Sequence, residues 1–313
     1  MYAIVVHGGA GQWRAERREA ALEGVRRAAV CGLNILTGGG GALDAVVAAV
    51  VSMEDDPVFN AGTGSALNLD GEAEMDAGVM VGEDLRTGNV AGLRRVKNPI
   101  LVARAVMERT DHVLLAGDGA LRLARAFGFQ DYEPVTSQRR DEWREKRAAL
   151  VDADNPSLPR LRVLLQDHPD LSPGTVGAVA LDTHGVLAAA TSTGGITLKL
   201  PGRIGDTPVP GAGNYATSHG ACSATGLGEL MLRYLTARSV CDHLHAGQSA
   251  KRAVEAVLTD MRAAVGGEVG MVAIDRNGTI GVGHLTAAMP HAYASASDMQ
   301  VVAALQVDDA RGC

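Results

Sequence analysis

The sequence has few cysteines and no excess of basic residues. Its four cysteines, at positions 31, 222, 241 and 313, show neither CxxC spacing nor a dense framework. This disfavours a disulfide scaffold and a zinc knuckle, and it indicates a reducing, cytoplasmic setting. The net charge of −7 at pH 7 argues against general nucleic-acid binding, because contacts to phosphate need concentrated Lys and Arg.

Long apolar runs are also missing. The longest run, residues 45–51, is far shorter than the roughly 20 residues of a membrane-spanning helix. The first residues carry neither a basic leader nor the apolar stretch of a signal peptide. We therefore expect neither membrane insertion nor secretion.

Aromatic residues make up only 3% of the chain, whereas glycine is abundant, with 39 residues. Tight turns and close backbone approaches are typical of such glycine usage and suit a small-ligand site. A hydrophobic content of 46% is sufficient for a sizeable core, so the chain is expected to be globular.

Hydrophobic periodicity gives a coarse secondary structure. Helices are predicted over 14–36, 42–53, 98–109, 118–127 and 247–265. Strands are predicted over 2–6, 67–68, 74–81, 176–181 and 186–191, and a hairpin of 270–274 with 279–284 is expected to end the fold. This order predicts a layered α+β body.

Residues 131–174 differ in composition from the rest of the chain. Charges cluster there, apolar periodicity weakens, and prolines stand at positions 134, 156, 159, 169 and 173. A long stretch without its own core is uncommon inside a compact domain. We expect a flexible tail here.

The tail ends at Gly174-Thr175, directly before a buried-looking strand. Taken alone, Gly-Thr-Val more often marks a β-branched residue that starts a strand after a turn. A threonine freed at a chain start, however, carries its own base, because its α-amine titrates at about 7.7 to 8.0 in model peptides. Cleavage at this bond would therefore make Thr175 a nucleophile.

The turn after that strand predicts which residue faces Thr175. A three-residue loop with Gly185 in the left-handed conformation pairs Asp182 with Val186 and sets Thr175 opposite Thr193. A loop of another length would bring Ser192 or Thr191 there instead.

Four groups of segments together carry a family resemblance. They are His7-Gly-Gly-Ala-Gly11; residues 59–65 with 74–77; residues 174–182 with 190–195; and residues 200–206 with 224–229. In this order and spacing they resemble the plant-type L-asparaginase and isoaspartyl aminopeptidase family of N-terminal nucleophile hydrolases. The resemblance covers nearly the whole chain except about residues 131–173.

The resemblance implies a single domain with a four-layer αββα sandwich, cleaved between Gly174 and Thr175 into residues 1–174 and 175–313. It implies hydrolysis of L-asparagine and β-aspartyl dipeptides, with no organic cofactor. It also implies a dimer of the cleaved heterodimers.

The resemblance assigns roles to residues. Thr175 is the nucleophile and Thr193 supports it. Thr225 and the Gly226 amide form the oxyanion hole, Arg203 binds the substrate carboxylate, and Asp206 with the Gly228 carbonyl binds its ammonium. A sodium ion is expected on the main-chain oxygens of Met53, Glu54, Asp56, Phe59, Ala61 and Thr63.

Each of these assignments has a simpler alternative. Arg203 and Asp206 could form a solvated ion pair, and Thr225-Gly226 could cap a helix over 227–237. His7 is interpreted as a packing residue. His243, His245, His284 and His291 lack the carboxylate or cysteine companions of a zinc site.

Two other functions also stay open. Glycosylasparaginases typically carry Asp before the threonine and Met after the second glycine, where this chain has Gly174 and Ala178. An unprocessed, non-catalytic relative that binds aspartate is the other.

Overall fold

The computed structural model describes residues 1–152 and 174–307. Within them the fold is α+β, with one eight-stranded and one four-stranded sheet. The helices are α1 (Ala15–Thr37), α2 (Ala42–Glu54), α3 (Pro99–Arg109), α4 (Gly117–Ala126), α5 (Ser137–Asp152), α6 (Gly228–Tyr234), α7 (Thr236–His245) and α8 (Ala250–Ala264).

The strands are named in chain order. They are β1 (Ala3–His7), β2 (Met75–Val81), β3 (Thr87–Leu93), β4 (Leu114–Ala116), β5 (Val176–Leu181), β6 (Leu187–Thr193), β7 (Asn214–Thr217), β8 (Gly220–Gly226), β9 (Val269–Asp275), β10 (Ile280–His284), β11 (His291–Ser295) and β12 (Asp298–Ala304). The large sheet has the order β12-β11-β1-β5-β6-β2-β3-β4, and the small sheet has the order β10-β9-β8-β7.

The central strands of the large sheet are buried on both faces. Because side chains alternate along a strand, Val176, Ala178 and Ala180 of β5 join the core beneath α1 and α2. Val179 and Leu181 point the other way, into an apolar layer shared with the small sheet. The outer face of the small sheet packs against α7 and α8.

The two sheets approach closely where β5 crosses β8. A Cβ added at Gly177 would lie 2.0 Å from the Ser223 Oγ atom. Glycine at this position therefore permits the close approach of β5 and β8.

Most predicted elements are found, and the predicted helices α1 to α4 and α8 have their ends within three residues of the expected positions. The strand predicted at 67–68 is an isolated bridge between Leu67 and Ala73. The second hairpin does not end the fold, because β11 and β12 follow it and β11 pairs with β1. No helix in the described part of the chain is long and apolar enough to span a membrane.

The expected tail needs a larger correction. Residues 137–152 form helix α5, and Trp143 donates a hydrogen bond from Nε1 to the Asn68 carbonyl over 2.8 Å. The helix docks through polar contacts rather than an apolar stripe, which is why hydrophobic periodicity did not reveal it. The rest of the predicted tail, residues 153–173, lies outside the described residues.

Candidate active site

The hairpin of β5 and β6 brings two threonines together, and the predicted register is confirmed. Val176 lies opposite Ser192, and the Asp182 amide bonds to the Val186 carbonyl at 3.0 Å. Continuing the register by one residue sets Thr175 opposite Thr193. The Thr175 Oγ1 donates to the Thr193 Oγ1 over 3.3 Å, and both side chains are buried.

The carbonyl of Gly174, which precedes Thr175, accepts two side-chain hydrogen bonds. One comes from the Thr193 Oγ1 at 2.8 Å and the other from the Asn60 Nδ2 at 2.8 Å. Donors aimed at a carbonyl oxygen stabilise negative charge that develops there. Thr175 therefore lies next to a peptide carbonyl that is already polarised.

Asn60 was not among the predicted site residues, although the segment that contains it was. Its Nδ2 also donates to the Gly195 carbonyl at 2.6 Å, and its Oδ1 accepts from the Ala66 amide at 2.7 Å. Residues 59–71, called here the Asn60 loop, therefore contact the chain just before β5 and just after β6. The signal in the sequence was the Gly62 and Gly64 pair, which both adopt positive φ angles.

Thr225 and Gly226 end β8 in the second sheet. The Thr225 Oγ1 accepts a hydrogen bond from the Ala10 amide at 3.3 Å, and a Cβ added at the neighbouring Gly9 would lie 3.0 Å from the Thr175 nitrogen. The Gly9-Ala10 turn therefore lies between the two threonines. The helix-cap alternative is wrong, because Thr225 belongs to β8 and Leu227 occupies the N-cap of α6.

Arg203, Asp206 and Gly228 form a second cluster. A Cβ added at Gly228 would lie 2.9 Å from both the Arg203 Nη2 and the Asp206 Oδ1 atoms. Arg203 is not in a solvated pair with Asp206. Its Nε and Nη2 atoms donate to the Glu229 carboxylate at 2.9 Å and 2.7 Å. Glu229 was missed because nothing in the local sequence marks it as the partner.

Asp206 is buried, with 4% of its surface exposed. Burial raises the pKa of Asp206 to about 7, and the nearby Arg203 cation opposes that effect. Its Oδ2 atom has no hydrogen-bond partner in the described part of the chain.

A further pair of buried charges lies behind this cluster. Lys199 donates from Nζ to the Glu74 carbonyl at 2.6 Å, and burial lowers its pKa. Asp76 lies opposite Thr193 across β2 and β6, and burial raises its pKa while Lys199 opposes that shift. The cluster of Arg203, Asp206 and Gly228 is therefore backed by one buried acidic and one buried basic side chain.

His7 lies at the end of β1, where its Nε2 atom is 2.9 Å from the Ser223 Oγ. Burial lowers the pKa of His7 to about 3, so the imidazole is neutral. Ser223 in turn bonds to the Thr191 Oγ1 at 2.8 Å. These contacts fit the predicted packing role.

The carbonyls expected to hold sodium lie on one winding stretch of main chain. Several already accept amide hydrogen bonds, such as the Glu54 carbonyl from Thr63 at 2.8 Å and the Asp56 carbonyl from Phe59 at 3.1 Å. A carbonyl oxygen has two lone pairs, so these bonds leave capacity for a hard cation. No cluster of three or more His, Cys, Asp or Glu side chains suited to a metal is found among residues 1–152 and 174–307.

Comparison with known sequences identifies the family. The profile of the family described as "Asparaginase" matches residues 1–304. The chain belongs to the asparaginase family. It is 46% identical over 295 residues to the "Plant-type L-asparaginase" of Pyrococcus abyssi, which covers 94% of this chain and 96% of that protein.

A mammalian relative is nearly as similar to this asparaginase-family chain. The "Isoaspartyl peptidase/L-asparaginase" of Bos taurus is 42% identical over 310 residues, or 98% of this chain and 96% of that protein. The predicted family is therefore confirmed over nearly the full length.

Proposed function

We propose that this chain hydrolyses L-asparagine and β-aspartyl dipeptides to L-aspartate, with Thr175 as a nucleophile that autocleavage exposes. The observation that carries the proposal is the buried Thr175, which contacts Thr193 and follows a carbonyl held by two donors. Both relatives above are named L-asparaginase, and that of Bos taurus is also named isoaspartyl peptidase. The protein is thus an amidohydrolase of the threonine type.

Autocleavage comes first. The Thr175 Oγ1 attacks the Gly174 carbonyl carbon while Asn60 and Thr193 donate to the carbonyl oxygen. The peptide C–N bond breaks as the proton lost by Oγ1 passes to the Thr175 nitrogen, and an ester then links the two residues. Water hydrolyses the ester, which leaves a carboxylate on Gly174 and a free amine and hydroxyl on Thr175.

Turnover then uses the new chain start. The α-amine of Thr175 takes the proton from Oγ1 as that oxygen attacks the substrate's side-chain carbonyl. The Thr225 hydroxyl and the Gly226 amide stabilise the oxyanion. Ammonia or an amino acid leaves with the returned proton, and water releases L-aspartate from the acyl-enzyme.

The cluster around Gly228 binds the amino-acid end of the substrate. Glu229 accepts two of the five guanidinium N–H groups of Arg203, which orients the group and leaves others for the α-carboxylate. Asp206 and the Gly228 carbonyl, which lie beside Arg203, bind the α-ammonium.

Several finer features follow from the family resemblance. The helices packed outside each sheet support the four-layer αββα sandwich. The dimer of cleaved heterodimers, the sodium ion on the main-chain carbonyls and the cytoplasmic location stay predictions.

Replacing Thr175 tests the proposal directly. The Thr175→Ala chain is expected to keep its full-length mass on denaturing analysis and to hydrolyse neither asparagine nor a β-aspartyl dipeptide. Thr183→Ala, a matched change in the exposed hairpin turn, should yield two fragments and normal rates. A Thr175→Ala protein that still splits or turns over contradicts the assignment.

A further inference from the structure

Residues 132–143 lie along the Asn60 loop and contact it at successive points. The Tyr132 hydroxyl bonds to the Thr63 Oγ1 at 2.9 Å, and the Pro134 carbonyl accepts from the Gly64 amide at 2.9 Å. The Arg139 Nε donates to the Gly64 carbonyl at 2.5 Å. Both main-chain polar groups of Gly64 are therefore satisfied by this one segment.

Helix α5 extends these contacts in both directions along the loop. Arg139 also donates from Nη2 to the Phe59 carbonyl at 3.3 Å, so its guanidinium spans two carbonyls five residues apart. One turn further, the Trp143 Nε1 bonds to the Asn68 carbonyl at 2.8 Å. The Trp143 ring covers Gly71, where an added Cβ would lie 3.1 Å from the ring.

A charge network fixes Arg139 in place. Glu142 pairs with Arg139 at 2.9 Å and with Arg17 at 3.6 Å, and the Arg17 Nη2 donates to the Val58 carbonyl at 2.6 Å. The Arg139 side chain is only 13% exposed. Such a guanidinium presents a rigid fork that a lysine ammonium cannot reproduce.

The Asn60 loop transmits this position to the scissile bond. Asn60 follows Phe59, and its side chain donates to the Gly174 and Gly195 carbonyls. Its own carbonyl accepts from the Gly194 amide at 2.9 Å. A shift of the loop main chain therefore moves a donor away from the carbonyl that Thr175 attacks.

We propose that α5 clamps the Asn60 loop, and that Arg139 and Trp143 are positioning residues for the Gly174 carbonyl during autocleavage. The proposal rests on the proposed function, since it assigns these side chains to its first step. The cation of Arg139 acts only through the loop and does not contact the reacting atoms.

The time course of cleavage in a cell-free translation reaction tests the clamp. Arg139→Met is expected to slow the loss of full-length chain about tenfold, because a displaced donor weakens carbonyl polarisation. Arg139→Lys, which keeps the charge but loses the fork, should be intermediate, and Trp143→Phe should cost about threefold through its lost hydrogen bond. Arg144→Met is the matched control, since Arg144 is 64% exposed and pairs with Asp141 in its own helix.

A second measurement separates the clamp from the chemistry. In uncleaved Thr175→Ala chains, hydrogen exchange at the Thr63, Gly64 and Ser65 amides should accelerate when Arg139→Met is added and stay unchanged with Arg144→Met. If the wild-type chain never cleaves, the proposed function fails, and exchange alone judges whether α5 holds the loop. Wild-type cleavage rates in folded Arg139→Met protein overturn the positioning role, and unchanged exchange overturns the clamp itself.

Discussion

The two ends of the candidate site differ in how far their polar atoms are satisfied. Around the scissile bond, the side chains of Thr175, Thr193 and Asn60 all make hydrogen bonds within the protein. In the cluster of Arg203, Asp206 and Gly228, the Oδ2 atoms of Asp206 and of the neighbouring Asp76 lack partners among the described residues. This difference fits the proposed function, in which the first end reacts within the chain and the second binds a charged substrate.

Replacing Asn60 tests the end of the site around the scissile bond, and it should have the largest effect on rate. Asn60→Ala deletes one of the two side-chain donors to the Gly174 carbonyl, so autocleavage is expected to slow by about 10²- to 10³-fold. The fraction of full-length chain against time gives the rate. Asn34→Ala, a change on the exposed face of α1, serves as the control. A cleavage rate equal to wild type contradicts the role given to Asn60.

The pH dependence of turnover tests the other end of the site, the cluster of Arg203, Asp206 and Gly228. Burial raises the pKa of Asp206 to about 7 in the free protein, so the carboxylate that attracts an ammonium forms only as pH rises through that value. Below it, the neutral acid binds substrate more weakly. We expect kcat/KM, which reports ionisations of the free enzyme, to decrease as pH is lowered below about 7. We do not expect kcat to show this decrease.

The Asp206→Asn variant provides the control for that decrease. It should lower kcat/KM for asparagine by about 10- to 100-fold, through loss of a charged hydrogen bond, and should remove this decrease from the profile. The matched Asp260→Asn change, on an exposed position of α8, should leave both unaltered. If kcat/KM of Asp206→Asn still decreases below about pH 7, the decrease arises from another group and the assignment to Asp206 is wrong.

A buried carboxyl oxygen without a hydrogen-bond partner need not bind a ligand, and Glu54 is an example. Its Oε1 accepts from the Ser192 Oγ at 2.6 Å and from the Ile100 amide at 3.0 Å, while Oε2 has no partner in the described structure. Burial raises the pKa of Glu54 to about 8, so the folded protein holds the neutral acid. The carboxyl is thus protonated, and its second oxygen carries little charge.

This gives a prediction about stability rather than rate. Because the pKa of Glu54 is higher in the folded state, its contribution is complete below about pH 4.5 and is lost as pH rises toward about 8. Urea unfolding of uncleaved Thr175→Ala protein should therefore give a lower unfolding free energy at pH 8 than at pH 5. Glu54→Gln should flatten this change, and an equal slope in both proteins contradicts the protonation state.

Local rules determined much of the fold and part of the site. The register that sets Thr175 opposite Thr193 followed from the turn at Asp182–Gly185, because a hairpin loop fixes every pair after it. In contrast, β11 pairs with β1 across almost the whole chain, a partnership that no local pattern specifies.

The missed residues have the same explanation. Asn60 acts on a carbonyl 114 residues away, and Glu229 acts on Arg203 across 26 residues. Helix α5 is mostly polar and docks through Trp143 and Arg139, so composition favoured a tail. Sequence patterns report which faces are apolar, whereas these contacts depend on single polar atoms meeting in the folded chain.

The central claim is that the chain cuts itself and works from the new start. N-terminal sequencing of purified, catalytically active protein tests it most directly. The account predicts two starts in equal amounts, one at Met1 or Tyr2 and one at Thr175. Active protein with only the first start would contradict it.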